Sequence, residues 1–364
     1  MVLDRTCCAV NSSNMLWLVT LALFAGVLAW LATFVLRRWS PRLGLVDIPN
    51  ERSSHVRPTP RGGGTSFVVV ALVLTTVAAL RLSIAMMPGM VALMLGSLLV
   101  AGVSLADDRW RLPVRFRFGA HTVGALILLA GGGWIREVDL PGGVVWSLGW
   151  AGLPLTFVWI AGLTNAYNFM DGIDGLAAGQ AVIAAVAMAW LSQVWGADQV
   201  ALAMAILASS VLGFLSHNWP PAKIFMGDVG SAFLGFSFAG WAVLSSNTPS
   251  NKLPFVAWAV LLAPFLFDTG VTLISRVVRG QRWYEAHREH FYQRLIRQGW
   301  SHKAVTSLYL GVATFLGLVM IAYYGYGFIA PLVFIGLIAL PLTGIVVVVR
   351  WVETRPARHP VHTV

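Results

Sequence analysis

The sequence predicts an all-α, polytopic integral membrane protein with about eleven transmembrane helices, and three observations carry that reading. Only 11% of its 364 residues are Asp, Glu, Lys or Arg, while 57% are hydrophobic. A soluble domain carries about 25% charged residues, so this chain lacks the polar surface to coat a water-soluble globule. The mean hydropathy is +0.75, and apolar runs recur near the ~20-residue length that crosses a bilayer. Third, the basic residues fall on one side of the resulting loop pattern. Soluble enzymes, disordered regulators and disulfide-rich secreted scaffolds are excluded; the only cysteines, Cys7 and Cys8, are adjacent and build no disulfide framework.

Charge and Gly/Pro breaks delimit the spans near Met15–Leu36, Thr65–Leu82, Pro88–Ala106, Phe118–Gly133, Val144–Leu163 and Gly175–Trp195. The rest lie near Gln199–Ser216, Gly230–Ser246, Pro254–Ser275, Lys303–Tyr324 and Gly327–Val349. All belong to one catalytic domain over 1–364, with no internal repeat. Its cytoplasmic loops cover about 37–64, 107–117, 164–175, 217–229 and 276–302. The first span is too long for the apolar region of a signal peptide and lacks a basic cluster before it, so it is expected to be retained.

Orientation follows from the arginines. One set of loops holds Arg37, Arg38, Arg42, Arg52, Arg57 and Arg61, then Arg109, Arg111, Arg115 and Arg117, and Lys223. The same side takes Arg276, Arg279, Arg282, Arg288, Arg294, Arg297, Lys303, Arg350, Arg355 and Arg358, which makes 21 of the 25 basic residues. Cytoplasmic loops accumulate Lys and Arg, so the N-terminus is expected outside, in the periplasm, and the C-terminus in the cytoplasm. The net charge of +10 is therefore topological. No nucleic-acid partner is expected, because no basic stretch is interleaved with stacking aromatics on a soluble module.

With charge so scarce, each carboxylate is informative, since ionisable groups at membrane depth are costly and functional by default. Most lie at the basic ends of spans: the Asp107-Asp108 pair, the string Asn165-Ala-Tyr-Asn168-Phe-Met-Asp171-Gly-Ile-Asp174-Gly-Leu176, and Gly227-Asp228-Val-Gly230-Ser231. Asp268 falls inside the ninth span. Each has a bland reading as a solvated anchor or partner of a nearby arginine, and Asp228 or Ser231 also suits the N-cap of a helix. Convergence of three acidic clusters on one side favours function. Adjacent helical residues point about 100° apart, so Asp107 and Asp108 are expected to take different jobs. Spacing of three rotates about −60° per step; a break at Gly172 or Gly175 lets Asn165, Asn168, Asp171 and Asp174 line one cavity, whereas an unbroken helix splits them.

Carboxylates facing a dense arginine field point to a divalent cation and phosphates. Mg²⁺ takes oxygen ligands and is commonly held by one or two carboxylates plus substrate phosphates; Mn²⁺ is the expected substitute. Zinc is disfavoured, for no Cys or paired-His spacing stands near these carboxylates. Arginine matches phosphate oxygens bidentately, and Gly62-Gly63-Gly64 after Arg57 and Arg61 opens the second span, where backbone N–H groups suit an anion or merely give a flexible entry. The Arg279–Gly299 loop carries His287, His290, Arg282, Arg288 and Arg294 among aromatics. It reads either as an interfacial helix against anionic headgroups or as a lid in which His290 contacts phosphate or sugar.

At these residues the chain resembles the polyprenyl-phosphate N-acetylhexosamine-1-phosphate transferases, a family that includes the phospho-MurNAc-pentapeptide transferases and the enzymes that start O-antigen and teichoic-acid linkage units. The Asp-Asp pair, the Asn165–Leu176 string and Gly227–Ser231 carry the resemblance, and Asp47–His55 through Arg61–Gly64 resembles the O-antigen and teichoic branch. The resemblance implies Mg²⁺-dependent transfer at the cytoplasmic face of the bacterial inner membrane. Undecaprenyl phosphate attacks the sugar-linked phosphorus of a UDP-N-acetylhexosamine, of the GlcNAc, FucNAc or QuiNAc type, and UMP leaves. It implies Asp228 as metal ligand, and Asp107 and Asp108 at the lipid phosphate and metal, one of them a candidate base. Asp171, Asp174, Asn165 and Asn168 would form the diphosphate and nucleotide pocket. His290 is followed by Phe291, Tyr292 and Gln293 where the family motif commonly clusters histidines, which argues against the peptidoglycan branch. Beyond the substrates, the expected partners are the bilayer and a second copy of the chain in a homodimer, which no motif specifies. Rival readings are a secondary transporter of an anion, whose acidic residues belong near the midplane, and another Mg²⁺-diphosphate membrane transferase.

Overall fold

The computed structural model describes residues 12–49, 57–81, 88–248, 251–282 and 287–355. Cys7, Cys8, Arg52, Trp283, Tyr284 and Arg358, and most of the Asp47–His55 segment, lie outside the described residues. The chain is helical almost throughout: α1 (Ser12–Trp39), α2 (Gly64–Arg81), α3 (Pro88–Trp110), α4 (Val114–Ala130), α5 (Gly152–Met170), α6 (Leu176–Val194), α7 (Asp198–Asn218) and α8 (Asp228–Ser245). There follow α9 (Phe255–Leu261), α10 (Ala263–Val278), α11 (Phe291–Arg297), α12 (His302–Met320) and α13 (Pro331–Glu353). Eight of these are long and apolar enough to cross a membrane, nine if α9 and α10 count as one bent span. The expected eleven is not reached by that measure: α4 has only 17 residues, and α5 carries Asn165 and Asn168 in its last two turns.

Two expected spans take a different form. The run Val144–Leu163 is not one helix: Val144–Ser147 (β4) pairs antiparallel with Glu137–Leu140 (β3), and the helix starts only at Gly152. Gly142 and Gly143 make the turn with φ of +91° and +83°, a region that side chains rarely adopt. Apolar residues continue unbroken from strand to helix, so hydropathy alone hides the boundary. The run Pro254–Ser275 is bent by 76° between α9 and α10. Pro264, in the first turn of α10, lacks the N–H that would continue the ladder and its ring opposes the preceding turn. A second, shorter pairing, of the two-residue strands Val46–Asp47 (β1) and Thr59–Pro60 (β2), gives form to the segment before α2.

α8 forms the centre of the bundle. Its apolar window is 83% buried, against 17% for α1 and 22% for α13. Small residues let neighbours approach it closely, as membrane helices require. The entrance of α2 packs on α8 so tightly that a Cβ on Gly64 would lie 2.5 Å from the Cα of Gly230. The same strand-like entry is tied to the α7–α8 connection, because Gly63 and Gly64 donate their N–H groups to the carbonyls of Phe225 and Met226 at 2.9 and 2.8 Å. The anion site expected at Gly62–Gly64 is thereby corrected: those two N–H groups are spent on backbone carbonyls. At the opposite end of the bundle, Lys252 reaches Glu137 and Asp139 at 2.9 and 3.0 Å and Tyr323 accepts from Gly142 N–H at 2.9 Å, fastening the β3–β4 hairpin. Gly64→Ala is expected to cost about 1–3 kcal/mol through overpacking and to lower the melting temperature in detergent. Gly336→Ala, which meets nothing within 4 Å, should leave it unchanged or raise it.

Candidate active site

Burying carboxylates in an apolar bundle demands counter-charges, and two arginines supply them at the end of the bundle where α3 and α5 finish and α8 begins. Asp107 and Asp108 occupy the last turn of α3 and are 7% and 8% exposed. They face different ways. Asp108 accepts the N–H groups of Asp228 and Val229 at 2.9 and 3.1 Å and meets Arg61 Nε at 2.8 Å. It therefore caps the N-terminus of α8 from another helix, where the first N–H groups lack partners and the dipole favours an anion. The N-cap position itself, Gly227 at φ +78°, provides no side-chain bond; a Cβ there would fall 2.5 Å from Asp108 Oδ2. The cap expected from Asp228 or Ser231 is thus supplied by Asp108.

Asp228 stands in the middle of the group. Its Oδ1 meets Arg61 Nη2 at 2.8 Å and its Oδ2 meets Arg117 Nη1 at 2.9 Å. The same Arg117 nitrogen reaches Asp107 Oδ2 at 3.3 Å. One cationic nitrogen thus lies between the carboxylates of Asp107 and Asp228. Burial by itself would lower the proton affinity of Arg61, but the fields of Asp228 and Asp108 outweigh it, so its guanidinium is held charged. Asn168, on the last turn of α5, donates to Ser231 Oγ at 3.1 Å and hydrogen-bonds Asp228.

The helix does break after Asn168. Asp171 ends α5, Gly175 adopts φ +72°, and α6 starts at Leu176. The four residues make different contacts, however. Asp171 turns toward the acidic group, where burial and the neighbouring Asp228 push its carboxyl well above the usual carboxylate range, with Arg61 opposing. Its own N–H donates to Asn168 O at 3.3 Å, closing the last turn of α5. Asp174 turns away to accept Ala222 N–H at 2.9 Å and to meet His302 Nδ1 at 3.3 Å. Asn165 donates back to Ala161 O within its own helix at 2.7 Å.

The segment before α12 is docked rather than laid on a lipid surface. Helix α11 spans only Phe291–Arg297 and buries Phe291, Tyr292 and Leu295 inside the protein, which corrects the interfacial-helix reading for the described residues. His290 is 4% exposed and stacks against Phe169 at 5.9 Å and Tyr292 at 6.0 Å. The residues that stand where histidines were expected do docking work. Tyr292 donates to Phe169 O at 2.9 Å, and Gln293 accepts His290 N–H at 3.3 Å. Glu289 binds Arg276, and Arg279 at 2.7 Å.

Of the arginines expected to bind substrate, only Arg61 joins the carboxylates. Arg294 makes a two-pronged pair with Glu353 at 2.7 and 2.6 Å, tying α11 to α13. Arg57 and Arg282 are exposed, Arg282 accepting from Arg276 through its carbonyl at 2.9 Å. Arg288 is half-buried and its charge is felt by Tyr292. Sequence reasoning missed Arg117, whose only signal was its place among the loop arginines. It noticed Asp268 as an intramembrane carboxylate without giving it a role; Asp268 proves fully buried and bonded to His290 Nδ1 at 3.3 Å.

Among the described residues, no group of three or more His, Cys, Asp or Glu side chains is arranged to hold a metal ion. The donor set nonetheless suits a hard cation, because every candidate ligand is a carboxylate oxygen.

An apolar helical bundle with an acid–arginine group at one end defines the class as a multi-pass membrane protein. Residues 90–246 match the model of glycosyl transferase family 4. Similarity extends further, to a probable undecaprenyl-phosphate N-acetylglucosaminyl 1-phosphate transferase of Bacillus subtilis, 31% identical over 76% of this chain and 77% of that one. A decaprenyl-phosphate N-acetylglucosaminephosphotransferase of Mycobacterium tuberculosis is 32% identical over 82% and 81% of the two chains. A phospho-N-acetylmuramoyl-pentapeptide-transferase of Synechococcus is 31% identical over 78% and 84%. The chain belongs to glycosyl transferase family 4, the polyprenyl-phosphate N-acetylhexosamine-1-phosphate transferases.

Asp108→Ala would strand two helix N–H groups and leave Arg61 with Asp228 alone, and it is expected to cost about 3–5 kcal/mol, read as a lowered melting temperature. Arg294→Gln should cost less than about 1 kcal/mol, since its pair with Glu353 is part-exposed.

Proposed function

We propose that the protein transfers N-acetylhexosamine-1-phosphate from a UDP-N-acetylhexosamine to undecaprenyl phosphate, releasing UMP and starting a lipid-linked glycan of the O-antigen type. The observation that carries this reading is the gathering of Asp107, Asp108, Asp171 and Asp228 around Arg61 and Arg117. The names of the relatives in Bacillus and Mycobacterium favour a GlcNAc-type donor. The single histidine at His290 weighs against the pentapeptide-bearing MurNAc substrate.

Phosphoryl transfer asks chiefly for charge neutralisation and in-line positioning. Mg²⁺, when bound, would neutralise the diphosphate and polarise the reacting phosphorus. Asp228 and Asp107 would hold it, because they already flank one cationic nitrogen; Asp171 is the third oxygen donor at hand. Asp108 is committed to the α8 cap and Arg61, so it positions rather than binds metal. Released from the carboxylates, Arg61 and Arg117 present forked donors suited to phosphate oxygens. Asn168 holds Asp228 and Ser231 in place from α5. A lipid phosphate is anionic at neutral pH, so its oxygen attacks the sugar-bearing phosphorus without a strong base. The P–O bond to UMP breaks as the new bond forms. Asp174 acts from outside the reacting group by fixing the α7–α8 connection.

Purified protein in detergent with UDP-GlcNAc, undecaprenyl phosphate and Mg²⁺ should release UMP, and a donor panel containing FucNAc- and QuiNAc-type sugars should rank the substrate. EDTA is expected to abolish turnover. Asp228→Ala should lower kcat by about 10²–10³-fold and should also lose Mn²⁺ binding measured directly by electron paramagnetic resonance. Retained Mn²⁺ binding in that variant would remove the metal assignment.

The proposed setting is the bacterial inner membrane with the acid–arginine group facing the cytoplasm. Cys7 and Cys8 test the orientation. A membrane-impermeant maleimide added to intact spheroplasts should label them, and labelling only after lysis would reverse the topology.

A further inference from the structure

Asp268 is 0% exposed and sits on α10, in the arm beyond the 76° bend. A carboxylate at that depth is costly unless fully bonded, and this one is bonded by four donors from two elements besides its own. Oδ1 accepts Phe291 N–H at 2.9 Å and lies 3.3 Å from His290 Nδ1. Oδ2 accepts Tyr292 N–H at 3.2 Å and the Tyr309 hydroxyl at 2.5 Å. Thr272, one turn along α10, stands 3.4 Å from Oδ1.

Capping α11 would need the two backbone N–H bonds alone. The additional bond to the imidazole has a chemical consequence. A carboxylate opposite Nδ1 accepts only, so Nδ1 carries the hydrogen and the other ring nitrogen is left to work outward. The ring is clamped between Phe169 and Tyr292. Tyr292 in turn grips the carbonyl of Phe169, the neighbour of Asn168. The imidazole therefore rests on the last turn of α5, the turn that ends in Asn168 and Asp171.

We propose that Asp268 is a positioning residue for the transfer, fixing the ring plane and Nδ1–H tautomer of His290 so that Nε2 is presented to the phosphorylated substrate beside Asn168. This inference rests on the proposed reaction for its kinetic part. A positioned group is worth most when its supporting partner leaves it one orientation.

Two independent readouts test it. ¹⁵N-histidine spectra of the purified full-length protein, with the His290 signal assigned by His290→Gln, should show protonated Nδ1, and Asp268→Asn should change that state. An unchanged tautomer in Asp268→Asn overturns the proposal, whether or not the protein turns over. Absence of turnover with the tautomer intact would instead defeat the proposed reaction alone. In the kinetic cycle, Asp268→Asn and His290→Gln should each lower kcat by about 10–100-fold, and the double variant should be no slower than His290→Gln. Multiplicative losses would mark Asp268 as merely structural. Tyr309→Phe removes the Oδ2 donor while leaving the His290 bond; it should lower the melting temperature and keep kcat within about threefold of wild type. A kcat loss there as large as in Asp268→Asn would also overturn the assignment.

Discussion

The constraint on which the site depends is the cost of holding negative charge inside an apolar helical bundle. Arg61 and Arg117 meet it jointly. Arg61 spans Asp108 and Asp228, and Arg117 spans Asp107 and Asp228, so the carboxylates can lie close together without leaving the interior. Breaking one partner of such a group strands the others. The acid–arginine group is consequently both the candidate site and one of the fastenings that bring α2, α3, α4 and α8 to one place.

Helix ends are the second organising element. Asp108 completes α8 and Asp268 completes α11, each from a different helix. Neither acceptor is a local cap of the familiar kind, in which the residue before the helix supplies the oxygen. This choice leaves Gly227 free to let Asp108 approach, and it locks the start of α8 to the end of α3. Packing and electrostatics are thus settled by the same few atoms.

Much of the fold could be read in the sequence because bilayer-length apolar runs are a strong signal. The helices α1, α2, α3, α6, α7, α8, α12 and α13 all fall where such runs lie. Hydropathy failed where apolar character is common to two conformations: the β4 strand merges into α5, and Pro264 divides a run that reads as one span. Within the candidate site, the proximity of Asp107, Asp108, Asp171 and Asp228 was legible because carboxylates are so rare at span ends. The contact of Arg294 with Glu353 was not legible, as loop arginines look alike until the fold brings α13 beside α11. Nor were those of Asp174, because a three-residue spacing does not say which way a turn will send each side chain. Arg117 and the Asp268–His290 link are long-range pairings, invisible to local pattern.

The two borrowed caps also bear on how the molecule comes together during synthesis. Asp108 precedes the N–H groups it accepts by 120 residues, and both arginines of the group precede Asp228. A chain emerging from its N-terminus therefore presents the guanidinium partners before the central carboxylate enters the membrane. In chain order, Asp228 thus follows every positive charge that it pairs with.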